Sequence, residues 1–243
     1  MKLILFNLKM ILNKITVILL SVTMLLLVIV SLLEYMNLDV KESNNVNIYI
    51  YFQNTFFYSK LIIAFITIYL FSNSISKKGD FIHYTLRMFN YNRCSILISK
   101  IIACSLITLF LSVFSFIAFL SVGLLIDGFR LNMDYVIAFL NVYLVSNVFG
   151  IVSLLFMQLI NNYFVIIVIC VLFLIISGIE NDNGFIRVIV FLIPRIDEYG
   201  FTKYGILHLL WLNITYSLLS YFTYQNRDLN YWVIKFIIIK KSV

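Results

Sequence analysis

Long apolar runs separated by short polar stretches set the pattern of this chain. The runs fall at about 15–33, 56–75, 101–126, 135–160, 164–179 and 204–224. Crossing a hydrocarbon core takes about 20 apolar residues of helix. The third and fourth runs are long enough to tilt or project, whereas 164–179 is short. The runs are continuous and do not alternate, so a membrane barrel does not fit. The pattern predicts an all-α integral membrane protein, one transmembrane domain over 1–243 with six spans and both termini on the same side.

The polar stretches are unequal. In residues 2–14, Ile4, Leu8, Ile11 and Ile15 share one face while Lys2, Lys9 and Asn13 lie opposite, which predicts a helix at the membrane surface. A secretory signal is the rival, but the apolar stretch that follows is too long and no small-residue cleavage site appears. Segment 34–55 holds several Asn and acidic residues, and caps an outer face or stays mobile. Asp127 to Asp134 joins the third and fourth runs as an antiparallel pair, and Asn161-Asn162-Tyr163 joins the fourth and fifth more tightly still. Between the fifth and sixth runs, 188–193 is too short to cross and Pro194 ends it, so an outer half-helix is expected there. The tail beyond 224 has an apolar centre flanked by Lys235, Lys240 and Lys241, and is expected on the membrane surface.

The longest polar interruption on the basic side is 72–100. It contains Lys77-Lys78-Gly79-Asp80, and Arg93 and Lys100 close it. Gly79 can end one helix and Asp80 can cap the next. Ile82, Leu86 and Phe89 then fall on one face at i, i+4, i+7. A helix this short needs a surface to lean on, either the membrane or another protein.

Composition agrees with the pattern: 63% of residues are hydrophobic and 12% charged, with a mean hydropathy of +1.02, outside the soluble range. Charge then orients the spans. The N-terminal segment, 72–100 and the tail together carry 12 basic residues against two acids, Asp80 and Asp228. The opposite side carries six basic residues and nine acids. The termini and 72–100 are therefore expected in the cytoplasm. Topology and anionic lipid account for the net charge of +7, so no nucleic-acid partner is implied.

Polar residues inside spans are costly and often functional. Asn141, Asn147, Gln158, His208 and Asn213 are the candidates for a substrate path. Hydrogen bonding between helices is their other role. Lys60 lies near one end of its run, where it can snorkel. Arg187 and Arg195, beside Asp197 and Glu198, read as interfacial anchors and salt-bridge partners, with substrate contact the alternative. Gly123 and Gly150 read as packing points, and the Phe and Tyr residues as mostly lipid-facing or interfacial. Cys94, Cys104 and Cys170 have neither metal spacing nor a place on the oxidising side, so metal is not expected. No phosphate-binding G-x-x-x-x-G-K-[ST], H-E-x-x-H or G-x-S-x-G occurs, and no paired acids stand in the spans to bind a coupling ion.

Gly79, a short amphipathic helix, then Arg93 and Lys100 at the mouth of the next run resemble the coupling loop of ABC-2-type permeases, the membrane subunits of bacterial ABC exporters. In that family the loop joins the second and third spans and docks in a cleft on the ATP-binding subunit. Ser74 and Ser76 stand where the family has acids, Asp80 where it has Thr, and Asn90 where it has Pro. The surface helix at 2–14 and the outer half-helix extend the likeness, which is narrowest to small permeases of peptide exporters, such as those of phenol-soluble-modulin export systems.

The resemblance implies that Gly79, Asp80, Ile82, His83, Leu86, Arg87, Phe89, Arg93 and Lys100 couple to an ATPase. It also implies two ABC-type ATP-binding subunits carrying ATP and magnesium, and a second permease copy, identical or related. This chain itself would bind no cofactor and catalyse nothing, and would sit in the bacterial cell membrane among its lipids. Hydrophobic or amphipathic cargo, peptides first, suits spans without fixed charges. The readings left standing beside export are a non-pumping interaction protein, for bacteriocin immunity or peptide sensing, and an intramembrane enzyme, which lacks any convergent acid, base or metal cluster.

Overall fold

The computed structural model of the chain describes residues 2–38, 44–75, 91–126, 128–160, 162–176, 194 and 203–241. Among these, every regular element is an α-helix: α1 (Lys2–Ile11), α2 (Lys14–Met36), α3 (Asn44–Ser74), α4 (Arg93–Gly123), α5 (Met133–Ile160), α6 (Tyr163–Ile176) and α7 (Lys203–Lys241). Five contain stretches long and apolar enough to cross a bilayer, at Lys14–Met36, Asn47–Ser74, Cys94–Gly123, Met133–Ile160 and Gly205–Gln225. The chain is a multi-pass, all-α membrane protein. Of the run expected to cross at 164–179, the described residues form the 14-residue α6, about 21 Å long at 1.5 Å per residue; 177–179 lie outside the described residues.

α5 is the axis of the bundle. It packs most extensively against α3 and α7, and also against α4 and α6, with side chains buried all round. α2 buries one stripe only, Thr16, Leu20, Thr23, Leu27 and Ser31, and leaves the rest of its apolar surface to lipid. Asn13 is not part of α1: its Oδ1 accepts from the Thr16 backbone N–H at 2.9 Å and caps α2. The break at Leu12–Asn13 turns the chain from the short α1 into the first span.

The second span starts earlier than its hydropathy shows. α3 begins at Asn44, inside the stretch read as an outer cap. Asn residues mask these first turns, yet Tyr51, Phe52, Thr55, Phe56 and Ser59 recur at helical spacing and all are buried. They meet an aromatic cluster centred on Phe119, whose ring lies 5.2 Å from Tyr51, 4.9 Å from Phe56 and 5.3 Å from Tyr135. Tyr51 Oη also donates to the Phe119 carbonyl at 3.0 Å. These rings are core, exceptions to aromatics that are expected to be mostly lipid-facing or interfacial, because the ends of three helices converge on them.

The early start moves Lys60 to the middle of α3, where it is buried. It does not snorkel from a helix end.

α3 and α4 run antiparallel and are fastened by a series of polar contacts. Ser115 Oγ donates to Ser59 Oγ at 2.8 Å, and Thr67 and Thr108 hydroxyls meet at 3.3 Å. Cys104 Sγ approaches the Leu70 carbonyl at 3.9 Å, and Lys100 Nζ donates to the Ser74 carbonyl. α3 and α5 run parallel. Gly150 lets them touch: a Cβ there would stand 2.5 Å from Phe71 Cδ2 and 2.6 Å from Thr67 Cγ2. Ser153 Oγ bonds the Ile68 carbonyl at 3.2 Å one turn on. Gly123 is a second packing point, against the Phe129 ring.

α6 doubles back on α5 after a two-residue link, and Phe173 stacks on Phe156 with 5.8 Å between centroids. α7 continues without interruption through Lys241, so the tail extends the last span and is not a separate segment. Of the outer half-helix only Pro194, which is buried, lies among the described residues.

Candidate functional site

Two features lie in the part of the bundle around the start of α4, one at the end of α3 and the other reaching inward from there to the middle of α5. The first is the root of the segment between them. Lys100 is in the second turn of α4 and buried, and its ammonium caps the carbonyl end of α3 at Ser74. A cation suits that position because helix carbonyls leave partial negative charge there. Its neighbour Ser99 faces α1: Asn7 Nδ2 donates to Ser99 Oγ at 2.7 Å, and Ser99 Oγ donates to the Ile96 carbonyl at 2.8 Å. Consecutive residues of α4 therefore hold α3 and α1. α1 buries Asn7 and Ile11 in this contact and turns Lys2 and Lys9 outward.

Of the nine residues expected to couple, Lys100 is thus a tie within the bundle. Arg93 is the first residue of α4. Gly79, Asp80, Ile82, His83, Leu86, Arg87 and Phe89 lie outside the described residues.

The second feature is a groove of about 510 Å³ between α4 and α7, with α5 as its floor. Leu97, Ile98, Ile101 and Ile102 form one wall. Ile214, Ser217, Leu218 and Tyr221 form the other, and Asn147, Ile151 and Asn213 lie beneath. Ile98, Ile214 and Leu218 are exposed at the rim, so the groove opens sideways between α4 and α7.

Its amides are tied together. Ser105 Oγ donates to Asn147 Oδ1 at 2.8 Å, and Asn147 Nδ2 donates to Asn213 Oδ1 at 2.9 Å. Asn213 Nδ2 donates to the carbonyls of Leu209 at 2.8 Å and Leu144 at 3.2 Å. Each bond of this kind is worth about 0.6–2 kcal/mol between helices in lipid. The network joins α4, α5 and α7.

Asn147 and Asn213, both expected from sequence, are therefore brought together, and the other three candidates are not. Asn141 is buried elsewhere on α5. Gln158 is buried near the end of α5 with neither side-chain amide atom hydrogen-bonded. His208 is half-buried and stacks on Trp211 at 6.5 Å. Sequence reasoning missed Ser105, Ser217 and the Asn7–Ser99 bond. The signal for Ser217 was present: Asn213, Ser217 and Tyr221 recur at i, i+4, i+8 along one face of α7. Cys94 is half-buried, Cys104 and Cys170 are buried, and all three are free thiols.

No known protein family matches this chain, and neither does any curated protein sequence. Its chemistry is therefore read from the groove and the root alone. The groove offers an uncharged, mostly aliphatic surface with amide and hydroxyl groups at depth, suited to holding an apolar molecule.

Proposed function

We propose that this chain is the membrane subunit of an ATP-driven exporter in the bacterial cell membrane, moving a hydrophobic or amphipathic cargo, with small peptides the first candidate. In this reading α6 is the fifth of six crossings, both termini are cytoplasmic, and two permease copies work with two separate ATP-binding subunits that carry ATP and magnesium. The observation that supports it is the junction of α1, the end of α3 and the start of α4, tied through Asn7–Ser99 and Lys100–Ser74. This junction stands at the root of the segment whose sequence resembles an ABC-2 coupling loop. Closure of the ATPase pair would push that segment, shift α3 and α4 together, and change the helices around a cavity between the two permease copies. Asn147 and Asn213 then belong to the path of the cargo.

The segment's apolar face supplies the test. A buried anchor at an interface typically costs a few kcal/mol when removed, a rim charge much less. Phe89→Ala and Leu86→Asp are expected to release an ATPase that co-purifies with the native chain, or to uncouple its hydrolysis from export, with insertion unchanged. Arg87→Ala is expected to weaken that assembly modestly and mainly at high salt. Full ATPase recovery with cargo-stimulated hydrolysis in the double variant at 86 and 89 would sink the reading.

A further inference from the structure

We propose that the groove between α4 and α7 is a binding site for an uncharged, largely apolar molecule that carries one hydrogen-bond acceptor within its apolar framework and arrives through the bilayer.

The hydrogen-bond inventory of the floor argues for the acceptor. A primary amide has two N–H donors and an acceptor oxygen. Asn213 uses both of its N–H groups on the carbonyls of Leu144 and Leu209, and its oxygen on Asn147. Asn147 uses its oxygen on Ser105 and one N–H on Asn213. One N–H of Asn147 is left over, and Asn147 lines the groove. In hydrocarbon, an unmet donor costs more than it does in water, where the solvent would satisfy it.

Depth argues against an ordinary phospholipid as the molecule that meets this donor. Asn147 stands at the middle of the 28-residue α5, about 20 Å from either helix end at 1.5 Å per residue, and so well away from the headgroups. A phospholipid keeps its ester carbonyls near the headgroups and offers only methylenes at that depth. The rest of the groove sets the remaining properties. Its walls carry no charge, so an ionised ligand would lose its hydration without a partner. Its volume of about 510 Å³ falls within the ~300–1,000 Å³ of small-molecule sites. Ile98, Ile214 and Leu218 are exposed at the rim, which places the opening toward lipid. Binding itself needs no ATPase, so this site and the export reading fail separately.

An alkyl benzophenone has the required form, two apolar rings around one carbonyl, and crosslinks to nearby C–H bonds on irradiation. With the full-length chain in dioleoylphosphatidylcholine nanodiscs, 4-hexylbenzophenone is expected to label the groove walls, Ile98 and Leu218 among them, in preference to exposed positions such as Phe110. Ile214→Trp, which places an indole at the rim from an exposed position, should reduce groove labelling at least tenfold, while Phe110→Trp leaves it unchanged. Unlabelled benzophenone should compete roughly two- to tenfold better than diphenylmethane, the same framework without the acceptor, as loss of one hydrogen bond predicts. Asn147→Leu should abolish that preference. Labelling spread evenly over the lipid-facing surface, or undiminished by Ile214→Trp, would overturn the site. Equal competition by diphenylmethane in the native chain would reduce the groove to a resting place for bilayer chains and overturn the ligand assignment.

Discussion

Gly150 shows how little room single positions have. A methyl there would meet Phe71 and Thr67 within 2.6 Å, and Phe71 is wholly buried with no room to yield. Gly150→Ala is therefore expected to destabilise the bundle by about 1–3 kcal/mol, seen as a lower midpoint of thermal unfolding of the detergent-purified protein. Lys100 is the second such position. Lys100→Met removes a charge-assisted bond worth about 1.5–3 kcal/mol and leaves the last turn of α3 without its tie. The expected result is a lower unfolding midpoint with insertion intact; a midpoint equal to the native one would show that the bond contributes nothing. The packing role of Gly150 was legible because a glycine inside an apolar helix weakens it unless a neighbouring helix needs the space. The burial of Lys100 was not, since a lysine at the mouth of a run can equally point outward. Only the position of Ser74 across the hairpin decides it.

At the scale of elements, the apolar runs announced the long helices but misplaced the start of α3. Hydropathy averages over both faces, and the Asn-rich face of residues 44–54 hid the aromatic one that packs on Phe119. Lys60 was misjudged with it, because its depth depends on where the helix begins. The length of the last helix was hidden for a related reason: no glycine or proline marks a stop after Tyr224, and α7 runs on to Lys241. The tail's apolar, lysine-flanked pattern still suits a surface role, so deletion after Asn230 is expected to leave expression, assembly and export within about twofold of normal, measured by cargo release from cells. Loss of export at normal assembly would give the extension an essential part. The groove was half legible. Asn147 and Asn213 stand out as amides in apolar helices, whereas their meeting depends on α7 lying along α5.

For the whole molecule, removing the buried Lys60 and Lys100 from the side counts leaves 11 basic residues against two acids on one side and five against nine on the other. The asymmetry survives, and it predicts that a cysteine at Asn44 or Asn183, in a chain without native cysteines, reacts with an impermeant reagent on intact cells while one at Asn90 does not. The reverse labelling would invert the topology. The polar fastening of α3 to α4 also governs how the protein is made. Alone in lipid, α3 would present Ser59 and the buried Lys60 to hydrocarbon, whereas the Thr67 hydroxyl donates within its own helix to the Ile63 carbonyl; the partner of Ser59, Ser115, is translated 56 residues later. A helix in that position gains by waiting beside the insertion machinery until the next one emerges, and the two then leave for the bilayer as a pair. Truncated nascent chains ending before Ser115 should therefore hold α3 in a state still extractable by alkali, and chains that include all of α4 should release it into the membrane.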